Sequence, residues 1–202
     1  MRTLINLSIT TVCNMRCPDC SYGMRWRLQR HATLEEIRHV CGFLSDMIEV
    51  QITGGEPTVH PHFSQICDLV IGMLPQAMVC VETNGVNYPL HRETFKKMGR
   101  VNVSHYTAAS WPGCPDNTAQ VEALKADFPL AGVGEITHLP FANATGTKPC
   151  ERQTKAMYSM GKIYGCCTAS GMQGACGIEP SPDWQRLLDE TPLPCKGCPF
   201  AL

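Results

Sequence analysis

No stretch of this chain stays apolar over the roughly 20 residues that a membrane-spanning helix needs, so the sequence predicts no membrane partner. Net charge is also nearly absent. The 17 Lys and Arg residues against 18 Asp and Glu leave −1, which suggests no nucleic-acid or other polyanionic partner. The N-terminus lacks the apolar core of a signal peptide and runs straight into a strand pattern. No low-complexity segment appears, and no internal repeat beyond a strand–helix alternation. What remains is a globular composition, 44% apolar and 17% charged over 202 residues: one domain and a small appendage. Cysteine is abundant at 13 residues. Without an export signal, that load points to metal in a reducing, cytoplasmic compartment rather than to disulfides.

Three of the cysteines, Cys13, Cys17 and Cys20, follow an apolar β-type run at C-x3-C-x2-C spacing. Three close thiolates suit a cubic iron–sulfur cluster, each holding one iron. No fourth cysteine lies nearby, so one iron would keep an open position for a substrate or cofactor. The competing reading is a structural zinc site, which needs a distant fourth ligand. A second motif favours the cluster. About 35 residues after the trio, the strand pattern Val50-Gln51-Ile52-Thr53 ends in Gly54-Gly55-Glu56-Pro57. Glycines let backbone approach a ligand closely, and a carboxylate such as Glu56 can accept from an ammonium group.

Together these motifs resemble the radical S-adenosylmethionine (SAM) superfamily. The resemblance implies a 4Fe–4S cluster on Cys13, Cys17 and Cys20. It implies SAM chelated to the open iron through its amino and carboxylate groups, with Gly54, Gly55 and Glu56 at the amino end. It further implies reductive cleavage of SAM to methionine and a 5′-deoxyadenosyl radical, which takes a hydrogen atom from the substrate. Ser104 corresponds to a position that often contacts SAM, and Asn84 falls on the same edge. The family usually has an aromatic residue before the third cysteine, where this chain has Asp19. Tyr22 is the nearby aromatic that can take that place beside the adenine.

The first 140 residues alternate strand and helix patterns. Thr33 and Glu36 read as a capping box ahead of one helix, and Asn117 reads as the N-cap of another. Repeated βα units mean parallel strands with helices outside. The expected fold is α/β, a partial (β/α) barrel of about five to six parallel strands, over residues 1–140. Its functional face is the C-terminal edge of the strands. The trio, the Gly-Gly-Glu turn, Asn84, Ser104, Tyr106 and His138 all fall on that edge. Tyr106 and His138 are therefore the candidate catalytic residues, His138 as a proton acceptor. Cys41, Cys67 and Cys80 read as core residues, and Cys114 has no clear role.

Residues 141–202 read as a small, irregular, cysteine-rich extension placed to cover the barrel's open side. Met160 to Cys166 looks like a hairpin arm, and Ser181-Pro182 starts a short helix. The layout Cys150, Cys166, Cys195-x-x-Cys198 resembles the "twitch" extension of some radical SAM enzymes, which implies a second, auxiliary 4Fe–4S cluster on those four thiolates. Zinc on the same four is chemically sound. Cys167 can replace Cys166, and Cys176 is left over. Arg25, Trp26, Arg27, Arg30 and His31 carry no acid among them and can clamp an anion or form a solvated face.

The reading is an oxidoreductase acting on a small molecule, such as an alcohol of a sugar or cyclitol. A low-potential donor such as flavodoxin or ferredoxin would supply the electron. A peptide-modifying enzyme is the alternative. It is disfavoured because such relatives often carry a leader-binding domain ahead of the barrel, and this chain starts almost at its first strand. A zinc-binding interaction module is the non-enzymatic alternative, which leaves the Gly-Gly-Glu-Pro turn unexplained.

Overall fold

The computed structural model describes residues 2–17, 20, 29–107, 115–129, 131–135, 155–165 and 177–191. Among the described residues, seven strands form one sheet. In chain order the elements are β1 (Leu4–Thr10), α1 (Leu34–Cys41), β2 (Glu49–Gly54), a short 3₁₀ turn (Pro57–Val59), α2 (Phe63–Met73), β3 (Met78–Thr83), α3 (Tyr88–Phe95), β4 (Arg100–His105), α4 (Thr118–Asp127), β5 (Gly132–Glu135), β6 (Lys155–Ser159), β7 (Lys162–Tyr164) and α5 (Trp184–Glu190). The strand order is β5-β4-β3-β2-β1-β6-β7. The first six of these run parallel, and β7 turns back antiparallel on β6. The expected partial barrel is thus the fold, with six parallel strands.

The alternation in β1 explains how the sheet is layered. Ile5, Leu7 and Ile9 are fully buried against a core that includes Ile37 and Val40 of α1 and Phe63, Ile66 and Val70 of α2. Each such burial contributes about 1.5–3 kcal/mol, which sets the strand's facing, because a one-residue slip would take all three away from the helices and put polar residues against them. The intervening residues Asn6, Ser8 and Thr10 point to the opposite face, and they too are buried. Helices therefore cover the outside, and the inner face of the sheet mixes these polar residues with Met157 and Cys80, which lie opposite Asn6 and Gln51. The capping box at α1 is present as expected: the Thr33 hydroxyl accepts from Glu36 N, and the Glu36 carboxylate accepts from Thr33 N.

The described parts of residues 141–202 are joined to the barrel. β6 lies beside β1, with Ser8 opposite Ser159. Met160 and Gly161 turn the chain into β7, both at positive φ, so the expected hairpin arm is present. It extends the sheet beyond β1, and β5 is the outermost described strand on the other side. Trp184 and Leu188 of α5 enter the main core, and the Trp184 indole donates to Phe43 O at 3.0 Å. Asn117 does not cap α4 through its side chain. The Asp116 carboxylate accepts from Thr118 N at 2.8 Å instead, which releases Asn117 for longer-range bonds.

Candidate active site at the C-terminal edge of the strands

Parallel strands bring the ends of β1 to β4 to one edge, and there the sequence motifs meet. The loop after β1 is pinched at its neck. Ala32 N donates to Ile9 O at 2.8 Å, and Thr11 N donates to Arg30 O at 2.9 Å. The Thr11 hydroxyl accepts from Arg30 N at 2.9 Å. The Thr10 hydroxyl accepts from Val12 N at 3.0 Å and lies 2.9 Å from His31 Nδ1. Arg30 also pairs with Glu36. The two described members of the cluster read as an anion clamp, Arg30 and His31, are therefore staples that close the cysteine loop.

Beyond the neck, Cys13, Cys17 and Cys20 pack with Met15 and Tyr106 in a small apolar group separate from the main core. Met15 N donates to Cys13 Sγ at 3.4 Å. Cys20 N donates to Cys17 O at 3.3 Å, turning the chain between the last two thiols. Among the described residues, no three His, Cys, Asp or Glu side chains converge on a single ion position. The donor set fits an iron–sulfur cluster: three thiols on one closed loop, an apolar surround, and a backbone N–H bonded to a sulfur.

The glycine turn packs on this loop. Gly55 N donates to Thr10 O at 2.8 Å, and Glu56 N donates to Val12 O at 2.9 Å. A Cβ on Gly54 would come within 2.4 Å of Thr10 O. One on Gly55 would come within 2.4 Å of Val12 O and 3.1 Å of the Cys13 Cβ. The close approach that these glycines permit is thus to the cysteine loop itself.

Glu56 is held by donors of the chain itself. Its side chain is 1% exposed. Oε1 accepts from Thr58 N at 3.1 Å, Thr58 Oγ1 at 2.6 Å and Thr83 Oγ1 at 2.7 Å, while Oε2 accepts from Asn84 N at 2.7 Å. Three donors share Oε1 and one reaches Oε2, so of the carboxylate's roughly four lone-pair sites one on Oε2 remains open. Burial pushes its carboxyl above the usual range, and the bonds from Asn84, Thr58 and Thr83 pull the other way. Glu56 joins the ends of β2 and β3 through these bonds.

Asn84 and Asn117 complete the framework. Asn84 Nδ2 donates to Asn14 Oδ1 at 2.8 Å, and Asn84 Oδ1 accepts from Val86 N at 3.0 Å. Asn117, 1% exposed, donates to Asn84 O and Ser104 O, both at 2.7 Å, and accepts from Tyr106 N at 2.7 Å. Ser104 is thus held through its carbonyl, and Tyr106 through its amide. His105 Nε2 lies 2.9 Å from Thr118 Oγ1. Cys41, Cys67 and Cys80 are buried as expected, and burial pushes the Cys41 thiol up to about 12 and the Cys80 thiol to about 11.

The structure therefore brings together Cys13, Cys17, Cys20 and Tyr106, with Gly54, Gly55, Glu56, Asn84 and Ser104 around them. Tyr22, His138, Cys150, Cys166, Cys195 and Cys198 lie outside the described residues. Thr10, Thr11, Asn14 and Asn117 were missed as site residues. The Thr-Thr pair before Cys13 was the available signal for the neck. The role of Asn117 had none, because its partners lie far away in sequence.

The family model described as the radical SAM superfamily matches residues 7–109. The GTP 3′,8-cyclase of Mannheimia succiniciproducens is 33% identical over 107 residues, covering 50% of this chain and 32% of that protein. The enzyme of the same name from Actinobacillus succinogenes is 34% identical over 107 residues, with the same coverage of 50% and 32%. The chain spans about a third of the length of these curated relatives. Among solved structures, BtrN in complex with AdoMet and 2-DOIA superposes with a TM-score of 0.62 at 14% identity, covering 83% of this chain and 74% of BtrN. Streptococcus suis SuiB bound to S-adenosylmethionine gives 0.51 at 12% identity, covering 89% and 63%. Both share the fold of this chain.

Proposed function

This chain belongs to the radical SAM superfamily, and from that premise we propose that it cleaves SAM reductively and oxidises a small molecule by hydrogen-atom abstraction. The observation that carries the proposal is the grouping of Cys13, Cys17, Cys20 and Tyr106 on the edge where the Gly54-Gly55 turn packs. When bound, a 4Fe–4S cluster supplies the electron that splits SAM into methionine and a 5′-deoxyadenosyl radical. Cys13, Cys17 and Cys20 would hold that cluster. Gly54, Gly55 and Glu56 would meet the amino end of SAM, with the Glu56 carboxylate also engaged by the chain's own donors. Asn84 and Ser104 flank that position, and Tyr22 would face the adenine.

Tyr106, held by Asn117, places a phenol beside the trio where a substrate would meet the radical. His138 would take the proton that an alcohol loses on oxidation. The remaining substrate electron would pass to an auxiliary 4Fe–4S cluster on Cys150, Cys166, Cys195 and Cys198, in an extension over 141–202. A flavodoxin or ferredoxin in the cytoplasm would supply the first electron. The test is anaerobic reconstitution followed by reduction with SAM present. Wild type should release 5′-deoxyadenosine, and Cys17→Ala should not. Normal SAM turnover by Cys17→Ala would overturn the assignment of the trio.

A further inference from the structure

The loop after β1 is basic in a chain that is not. Between Thr10 and Leu34 it carries four arginines, Arg16, Arg25, Arg27 and Arg30, against one acid, Asp19, while the whole chain is −1. The same loop holds Cys13, Cys17 and Cys20. Charge of one sign, gathered locally in a near-neutral chain, attracts a partner of the other sign. The basic run at 92–100 differs, because each of its four cations pairs with an acid.

Two of the loop arginines are described, and they differ. Arg30 is engaged by Glu36. Arg16 is exposed and pairs with no acid among the described residues. Its neighbours Met15 and Cys17 are 3% and 6% exposed and pack with the other thiols. The chain thus turns Met15 and Cys17 inward and Arg16 out to solvent. A guanidinium that served to offset thiolate charge would lie among the sulfurs. Arg16 instead marks the outer surface of the loop, one residue from a thiol.

The proposed chemistry needs an electron from outside the chain, and the thiols are covered. Cys17 is buried, and Cys13 and Cys20 are half-buried. An incoming electron must therefore cross the loop. The step from Arg16 to Cys17 is one peptide unit, about 3.8 Å between Cα atoms. Electron-transfer encounters bury little surface, under about 1,200 Å², and charge guides them more than apolar area does. A free, exposed cation one residue from a thiol suits such a contact. The carrier gives up one electron to the cluster and leaves oxidised, which a weak, screened contact allows.

We propose that the outer surface of the cysteine loop, centred on Arg16, is the docking face for a protein electron carrier that presents an acidic surface. The proposal rests on the radical reading above. It adds where the electron enters and what charge the partner's face must carry.

The anaerobic, cluster-loaded chain tests it with two readouts: calorimetry for carrier binding, and loss of visible absorbance for cluster reduction. Flavodoxin is the acidic carrier, and cytochrome c is a basic protein for comparison. Photoreduced deazaflavin is a small reductant with no acidic face. Wild type should bind flavodoxin and not cytochrome c. That binding should weaken from about 0.1 M to about 1 M salt, as the screening length shortens from roughly 10 to roughly 3 Å. Arg16→Glu should weaken flavodoxin binding and slow reduction by it about tenfold, and Arg16→Gln about threefold, because opposite charge steers the encounter. Reduction by deazaflavin should keep its wild-type rate in both. Arg38→Glu makes the same charge change on the exposed side of α1 and should behave as wild type. The proposal is overturned if flavodoxin neither binds nor reduces wild type, if Arg16→Glu matches wild type, or if Arg38→Glu loses as much. It is overturned as well if deazaflavin reduction slows equally, since Arg16 would then act on the cluster itself. Should Arg16→Glu load less iron, Arg16→Gln carries the comparison. Failure of the radical reading is seen separately, as no 5′-deoxyadenosine from deazaflavin-reduced wild type, and leaves the binding results standing.

Discussion

The side-chain amide of Asn84 donates to the side-chain oxygen of Asn14 at 2.8 Å, tying the end of β3 to the middle of the cysteine loop. Asn14 stands between Cys13 and Cys17. Asn84 also donates from its backbone to Glu56 at 2.7 Å and accepts from Asn117 at 2.7 Å. One residue therefore joins the loops after β1, β2 and β3 to the start of α4. The positions of the three thiols depend on this joint as well as on their own spacing.

Asn84→Ala should accordingly loosen the cysteine loop and leave the Asn14 amide without its partner. The loss should be about 1–3 kcal/mol, the usual cost of breaking a buried polar contact. Iron retained after gel filtration should fall along with Tm. Wild-type values of both would show that the joint does not position the thiols.

Gly55→Ala separates two readings of the glycine turn. The sequence alone predicts that bulk at Gly55 blocks SAM and spares the iron. In the structure, a Cβ there meets Val12 O at 2.4 Å and approaches the Cys13 Cβ. Backbone cannot yield as a side-chain tip can, so the loop must shift. The expected outcome is reduced iron content on reconstitution, before any effect on SAM affinity. Full iron loading with impaired SAM binding would restore the simpler reading.

Glu56→Gln tests the carboxylate's bonds to the chain's own donors. An amide group would turn a donor toward at least one of the donors on Thr58, Thr83 and Asn84. Denaturant unfolding should show a loss of about 1–3 kcal/mol. A change confined to SAM affinity, with stability untouched, would leave Glu56 only its role toward SAM.

Three histidines make stability depend on pH. Burial lowers the pKa values of His31, His60 and His91 below the ordinary 6.5. His60 donates from Nε2 to Ala32 O at 2.8 Å and accepts from His62 N at 3.0 Å, an arrangement only the neutral ring can make. The unfolded chain thus binds protons near pH 6.5, where the folded chain does not yet. Stability from these groups is full above pH 6.5 and falls as pH drops below it. Tm measured from pH 7.5 to 5.5 should decline, and His60→Gln should decline less steeply. An equal slope in the variant would remove His60 from the account.

The auxiliary cluster is tested by counting iron. Wild type should hold roughly eight irons per chain, and replacement of Cys195 and Cys198 by Ala roughly four, by the stoichiometry of two cubic clusters. SAM cleavage should persist at least partly in the variant, while oxidation of substrate fails. About four irons and one zinc in wild type would make the extension a structural zinc lid.

The elements of the barrel were legible in the chain because each is a local property. Period-2 apolar runs such as Ile5, Leu7, Ile9 mark strands, and Thr33 with Glu36 marks a helix start, within a few residues. The family followed from C-x3-C-x2-C and Gly-Gly-Glu-Pro, since thiol spacing and glycine placement are chemical constraints written along the chain. Only the tertiary structure decided which donors claim Glu56, that Asn117 bridges β3 and β4 instead of capping α4, and that Gly55 makes room for Val12. It likewise placed β6 beside β1 and left Asn6, Ser8 and Gln51 together on the inner face. Each of these joins residues far apart in sequence, from elements that meet only when parallel strands align their ends. A side chain that can accept from a ligand can equally accept from its own backbone, and packing alone determines which donor arrives first.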